Sequence, residues 1–272
     1  MMKRVITKQA APLLALGAVM AIMGGSPATA LTILVANGSF DAPGTIAGGL
    51  YQTGQTASLP GWTVNPQNGS QIDCVVPGNT AGNGTSQICG PYLAGNSQTY
   101  PKFTLWAAPG PSPDGGNYFL MDGDSNFRAP LTQTITGLTV GTVYQLTFYQ
   151  AAGQEDCLAD DGTNCDPPGN ADLTMQWKVT FGSQTQNSTK FTIPPHTTTS
   201  WMSQTMDFTA SSTSQVLKFL ANGTPNGDPP LIFLDGVALQ PIPEPGTFAL
   251  IGIGALLLLF GRRWWGRHSA CR

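Results

Sequence analysis

The sequence predicts an all-β protein built as a two-sheet sandwich, and three observations carry that prediction. Residues 173–181, LTMQWKVTF, place Leu173, Met175, Trp177, Val179 and Phe181 on one side and Thr174, Gln176, Lys178 and Thr180 on the other. That is the two-residue period of a strand with one wet face. About ten such short runs are separated by clusters of turn formers, in a chain of 272 residues holding 33 glycines and 22 prolines. No amphipathic helical run interrupts them between positions 31 and 240. Strands without helices bury their apolar faces by packing two sheets face to face.

Taken in order, LTILVANGSF opens the region as a strand, with Ile33 and Val35 set against Thr32 and Leu34. PGWTV places Trp62 after a turn as a core anchor. From Asn65 to Tyr100 nearly every residue is a turn former, which predicts a long excursion. KFTLW, NYFLMD and LTQTIT give three strands, and the Gly141 turn leads into TVYQLTFY, where Tyr144, Leu146 and Phe148 alternate with Gln145 and Thr147. An acidic loop spans Ala151 to Asp172. LTMQWKVTF follows, with Trp177 in its core row, and WMSQTMDF, QVLKFLA and LIFLDGVAL complete the set. No internal repeat and no Pro-rich boundary divides residues 31–240, so the expectation is one domain with one core.

The two ends carry export signals. Lys3, Arg4 and Lys8 precede an apolar stretch from Ala10 to Met23, and Ala28-Thr29-Ala30 supplies a small-residue cleavage pattern. Residues 1–30 therefore read as a secretory signal peptide, removed by signal peptidase. At the other end, residues 241–272 hold Pro243-Glu244-Pro245, an apolar run from Phe248 to Phe260 in a helix predicted over 247–261, and a basic tail with Arg262, Arg263 and Arg267. Arginines directly after an apolar helix stop it with the charged end in the cytoplasm. Thirteen residues span roughly 20 Å against a hydrocarbon core of about 30 Å, which is short for a permanent anchor unless Trp264 and Trp265 extend it. This order of motif, run and arginines resembles the PEP-CTERM sorting signal. The resemblance implies recognition of Pro-Glu-Pro by an exosortase, transient residence in the inner membrane, and delivery to the cell surface or an exopolysaccharide matrix. An ordinary C-terminal anchor is the alternative.

Between these ends the bases are Lys102, Arg128, Lys178, Lys190 and Lys218, against fourteen Asp and Glu, a net charge of −9. Five scattered cations do not assemble the basic patch that binds phosphate backbones, which excludes nucleic acid as a partner. Four cysteines, Cys74, Cys89, Cys157 and Cys165, occur in this exported region. They read as two disulfides with three possible connectivities, local pairing of Cys74 with Cys89 and Cys157 with Cys165 being preferred. Each local bridge contributes about 2.5–3 kcal/mol in the chain-entropy model. None of the spacings matches a zinc or haem motif.

A second resemblance rests on NGSFDAP, PGW, GGNYFLMDG, LTQTITGLTVGTVYQLTFYQAAG, WMSQTMDFTASS and PPLIFLDGVAL, in that order. The succession resembles galactose-binding-like jelly rolls, above all the DUF642 group and its carbohydrate-binding-module relatives. It implies a jelly-roll β-sandwich that binds glycans and has no catalytic residues. It also implies a structural Ca²⁺ where the first and last strands meet, at the positions matching Asp41 and Asp235. Asp41 stands where the commoner residue is Glu, and its reach is shorter. Asp235 has independent support from its phase with Leu231, Phe233, Val237 and Leu239, a row in which a carboxylate is costly unless bound. A bulge at Gly236 offers the alternative of turning it outward.

Other polar clusters read more blandly. Asp122-Gly-Asp124-Ser-Asn126 begins like an EF-hand loop, but Phe127 and Gln133 stand where Gly and Glu are needed, so a polar turn is expected. Glu155, Asp156, Asp160, Asp161 and Asp166 surround the second cysteine pair as a solvated or cation-binding loop. Sugar binding needs flat aromatic faces beside amide or carboxylate groups; Tyr92, Asn96, Tyr100, Trp106 and Trp201 are the candidates. His196 is the single histidine of residues 31–240 and lacks a nucleophile elbow, so a Ser-His-Asp hydrolase has no support. The reading is thus a non-catalytic glycan-binding module partnered by polysaccharide. A structural matrix or adhesion protein partnered by other matrix proteins is the alternative, ahead of a carboxylate-based glycoside hydrolase.

Overall fold

The computed structural model describes residues 33–42, 59–64, 73–78, 105–155, 171–228 and 230–242, with the backbone of three further short strands at 51–52, 87–89 and 103–104. The expected signal peptide, the sorting tail beyond Ile242, Tyr92, Asn96, Tyr100, Cys157 and Cys165 lie outside the described residues. Among the described residues every regular element is a strand, and no helix is long and apolar enough to cross a membrane.

Fourteen strands follow in chain order: β1 (Tyr51–Gln52), β2 (Thr63–Val64), β3 (Asp73–Pro77), β4 (Gln87–Cys89), β5 (Phe103–Thr104), β6 (Asn117–Asp122) and β7 (Leu131–Thr136), then β8 (Val143–Gln154), β9 (Leu173–Phe181), β10 (Gln184–Asn187), β11 (Phe191–Ile193), β12 (Met202–Thr209), β13 (Ser214–Thr224) and β14 (Pro230–Pro241). One sheet runs β1-β3-β6-β14-β8-β12. The other runs β10-β9-β13-β7-β2, with β11 also on β9, and β4 pairs with β5 apart from both. All pairings are antiparallel. From β6 to β9, and again from β12 to β14, successive strands change sheets, which is the jelly-roll manner of winding a sandwich.

The alternation read in LTMQWKVTF is realised: the five apolar side chains of β9 are buried and face Phe148, Ile232, Leu234 and Leu239 of the first sheet. Trp177 spans the sandwich, its Nε1 donating to the Phe233 carbonyl at 3.2 Å and its ring meeting Phe219 edge-on at 5.8 Å. Trp62 is likewise buried, stacked on Phe40 at 5.7 Å, with Nε1 donating to the Asn37 carbonyl.

Three expectations are corrected. Residues 33–42 form no regular strand. The Gln133 side chain, facing the core from β7, takes both the N–H and the carbonyl of Ala36, at 2.8 and 2.9 Å, so an amide side chain stands in for a neighbouring strand. Backbone bonds from Leu34 N to Leu239 O and from Val237 N to Gly38 O still fasten the segment to β14. The excursion from Asn65 to Tyr100 contains β3, whose Asp73–Val76 are buried in the first sheet. The acidic loop starts later than expected, because β8 continues through Ala151–Gln154 as the partner of β14.

The first sheet is apolar on both faces. Phe119, Met121, Ile232 and Leu234 point into the sandwich, while Cys74, Val76, Tyr118, Leu120, Ala151, Leu231 and Phe233 form a second cluster on the outer face. Leu105, Ala108 and Trp201 cover that cluster from outside, and the segment carrying Leu105 and Ala108 leads to the candidate site.

Candidate functional site

The site begins with a change of phase in β14. Strand pairing between β14 and β8 slips between Asp235 and Ala238, and Gly236 sits there at φ 59°. The row read as Leu231, Phe233, Asp235, Val237 and Leu239 is therefore split. Leu231 and Phe233 join the outer cluster, while Val237 and Leu239 join the central core. Asp235 belongs with the outer row and is fully buried at the bulge. Neither of its carboxylate oxygens makes a hydrogen bond of full geometry, although the Ser112 hydroxyl and the Gly236 N–H are its polar neighbours. Burial is the largest influence and raises its pKa to about 8; the neighbouring Ser112 hydroxyl and Gly236 N–H favour the charged form, and the charges of Asp114 and Asp41 raise the pKa further.

Asp41 and Asp114 reach this point from two other segments. Asp41 is exposed, and its Oδ1 accepts from Asn117 N at 2.8 Å. The carboxylate lies over Gly116, so close that a Cβ at 116 would overlap it. The Asp114 Cβ lies beside Gly236, 3.2 Å from where a Cβ at 236 would stand. Burial and the charge of Asp41 raise the Asp114 pKa. The sequence-predicted pair Asp41 and Asp235 is thus brought together, and Asp114 and Ser112 are added by the turn before β6. Among the described residues no group of three or more acidic, histidine or cysteine side chains is placed to hold a metal ion. The one observation here that suits a cation is the buried Asp235 carboxylate itself.

The second acidic corner does not match this. Asp124 Oδ1 accepts from Asn126 N at 2.7 Å and its Oδ2 from Gly227 N at 2.8 Å, so both oxygens tie a polar turn to the loop before β14. Asp122 is fully buried with its pKa raised to about 7, chiefly by burial, and Oδ1 accepts from Asp124 N.

The aromatic candidates separate into two kinds. Trp201 is structural: it packs on Tyr118 at 5.3 Å and on Phe233 at 6.3 Å, and Nε1 donates to Gly110 O at 3.0 Å. Trp106 is half-buried and stacks on the exposed His196, ring centroids 3.9 Å apart and planes 32° from parallel. One buried residue positions both rings. Gln154, at the end of β8, accepts from Trp106 N through its carbonyl and from His196 N through Oε1 at 2.6 Å. His196 is held at φ 61°, in the left-handed region that few side-chain-bearing residues enter and that histidine, like Asn and Asp, enters more often than most. The sequence contained no signal for this pair, because 90 residues separate its members; nor did PSPDGG show more than a turn at Asp114.

Beyond β14 the chain runs directly into a recognisable signal. Residues 241–263 match the PEP-CTERM protein-sorting motif. This motif covers the tail of the chain and leaves the sandwich unassigned. No curated protein sequence matches the chain. Among solved structures, similar ones include TmCBM61 in complex with beta-1,4-galactotriose (TM-score 0.37, 13% identity, covering 78% of this chain and 99% of that one). The C-terminal family 22 carbohydrate binding module of Clostridium thermocellum Xyn10B is another (TM-score 0.35, 10% identity, 69% and 89%). A third is the enzymatically active domain of tailspike protein 4 of bacteriophage CBA120 (TM-score 0.36, 14% identity, 77% and 21%). None of the three reaches a TM-score of 0.5, and the sandwich stands on its own strand pairing.

Proposed function

We propose that this PEP-CTERM protein is exported, sorted by an exosortase to the cell surface or matrix, and binds neutral polysaccharide there without cleaving it. The observation that carries the proposal is the Trp106–His196 stack, a flat ring pair open to solvent and held in place by the buried Gln154. A pyranose ring presents C–H groups to such a face and its hydroxyls to polar groups around it. Neutral chains are favoured over anionic ones because the exported region carries five bases against fourteen acids. Asp41 and Asp235 hold Ca²⁺ in this reading, which supplies positive charge where buried carboxylates would otherwise repel. Cys74 is disulfide-bonded, and Cys89 is its partner in the proposed local pairing, with Cys157 joined to Cys165.

A second reading, a structural matrix protein, is favoured by one feature. The outer face of the second sheet is broad and nearly uncharged, with Thr132, Thr134, Thr136, Thr174, Thr180 and Thr185 around Lys178 and Lys218. Affinity electrophoresis of the full chain in detergent, through gels containing neutral or acidic polysaccharides, separates the two. Retardation by a neutral polymer with no release of reducing ends supports glycan binding. Unretarded migration in every gel supports the structural reading, and release of reducing ends establishes a hydrolase.

A further inference from the structure

The two ends of the sandwich differ in kind. Ile242 N donates to Val143 O at 2.9 Å and Leu34 N to Leu239 O at 3.0 Å, so residues 33 and 242, where the described chain begins and ends, lie at the same end. The turns between β7 and β8 and between β12 and β13 close that end, tied together by Leu138 N on Thr213 O and by Gly141 N on Ala210 O. Residues 33–38, 137–143, 209–216 and 239–242, which build it, contain no charged side chain. The opposite end carries Asp122, Asp124, Arg128, Asp172 and Asp228.

Six large apolar side chains are exposed among the described residues, and four of them, Ile33, Val140, Val143 and Val216, belong to the uncharged end. Val140 and Ile33 are the most open, at 59% and 58% exposure. Val140 stands at the tip of the β7–β8 turn, flanked by Gly137 at φ 77° and Gly141 at φ 85°. A single exposed aliphatic side chain is ordinary, but four gathered on one end without charges mark a contact surface. The apolar run of the tail begins at Phe248, six residues beyond Ile242. Six residues reach at most about 20 Å, so with that run in a bilayer this end of the sandwich faces the lipid at close range.

We infer that the uncharged end of the sandwich is a membrane-facing surface: while residues 248–260 lie in the bilayer, Ile33, Val140, Val143 and Val216 rest on the lipid headgroup region and keep Pro243-Glu244-Pro245 beside it. The bilayer is the partner because the short connection brings lipid to this end, and the end offers aliphatic groups with no charge to be desolvated against it. Four aliphatic side chains alone bind a bilayer weakly. A short tether raises the effective concentration of the surface, so a weak contact is enough while the tail is attached. A sandwich freed of its tail keeps too little apolar surface to stay on the membrane. The inference rests on the reading of residues 241–263 as a sorting signal that enters the membrane; it is independent of any glycan site.

The test reconstitutes the full chain into phosphatidylcholine vesicles containing a lipid with a photoactivatable diazirine near its headgroup, and maps the labelled peptides by mass spectrometry. Peptides covering 137–143 and 210–216 are expected to take up at least fivefold more label than those covering 122–128 and 224–228, with label in the tail marking insertion. Val140→Asp is expected to lower the label in 137–143 at least threefold and to leave that of the tail unchanged. Phe127→Asp, at the opposite end, changes neither. Both side chains are exposed, and thermal denaturation of the two variants checks that the fold is kept. Equal label at the two ends of the sandwich, or an unlabelled 137–143 beside a labelled tail, overturns the inference, as does Val140→Asp labelled like the unaltered chain. A tail without label defeats the membrane reading of residues 241–263, and the inference with it.

Discussion

Asp114 rests on Gly236: a Cβ at position 236 would stand 3.2 Å from the Asp114 Cβ and 2.9 Å from the Tyr149 ring. The glycine allows β14 to bulge at φ 59°, turns Asp235 to the outer face, and leaves room for the Asp114 side chain beside it. Gly236→Ala therefore meets both a strained backbone and two close contacts. It is expected to cost about 1–3 kcal/mol in urea unfolding and to weaken calcium binding in the same preparation. Wild-type stability with unchanged calcium affinity removes the bulge from the argument.

The buried carboxylates fix the sign of the pH dependence. Asp235 is raised from 3.8 to about 8 and Asp122 from 3.8 to about 7, both chiefly by burial. Between those limits the folded chain holds more protons than the unfolded one, so stability is fully present below about pH 4 and is lost as pH rises through 7 to 8. In chelator, the denaturation midpoint is expected to fall across this range. Under the proposed calcium reading the ion takes the ionised form of Asp235 and is expected to flatten the fall, as is Asp235→Asn. Stability that rises from pH 4 to 8 in chelator contradicts the assignment.

Trp177 joins the two sheets through a single polar contact inside an apolar core, its Nε1 on the Phe233 carbonyl. Trp177→Phe removes that bond and leaves unfilled volume next to Phe219. The expected cost is about 2–4 kcal/mol, from the cavity and the lost bond together. Urea titration followed by far-ultraviolet circular dichroism measures it, with polysaccharide retention at low urea unchanged.

Much of this architecture was legible because the strands obey a simple period. The core row of β9, the anchoring of Trp62 and the alternation in β8 follow from side chains that must face apolar or wet surroundings in turn. What escaped had physical causes. The opening segment reads as a strand, but its pairing is completed by the Gln133 side chain, which sits 97 residues away. β3 lies in a stretch dominated by turn formers, and only tertiary burial makes Asp73–Val76 a strand. At the site, Asp41 and Asp235 were legible through their motifs. Asp114 was not, since a Pro-Asp-Gly-Gly turn has the same appearance whether or not its carboxylate meets another. The Trp106–His196 pair exists only once β8 brings Gln154 between two distant loops.

Gln154 offers a test of that last point without touching either ring. Gln154→Leu keeps the side chain's approximate bulk but deletes the acceptor for His196 N. The expected result is at least a fivefold loss of polysaccharide affinity, with the denaturation midpoint lowered by a cost of about 1–2 kcal/mol. Ring-current shifts of the His196 protons in nuclear magnetic resonance spectra report whether the stack has loosened. Unchanged shifts together with unchanged affinity would show that Gln154 does not position the pair.

The most direct measurement is the dissociation constant of Trp106→Ala, against that of the unaltered full chain, for the neutral polysaccharide that retards it most, in calcium. Trp106 is half-buried and outside the central core, so the variant is expected to remain folded, while losing at least tenfold in affinity because the stacking face is gone. An affinity equal to that of the unaltered chain, with the fold intact, would contradict a glycan-binding role for this face.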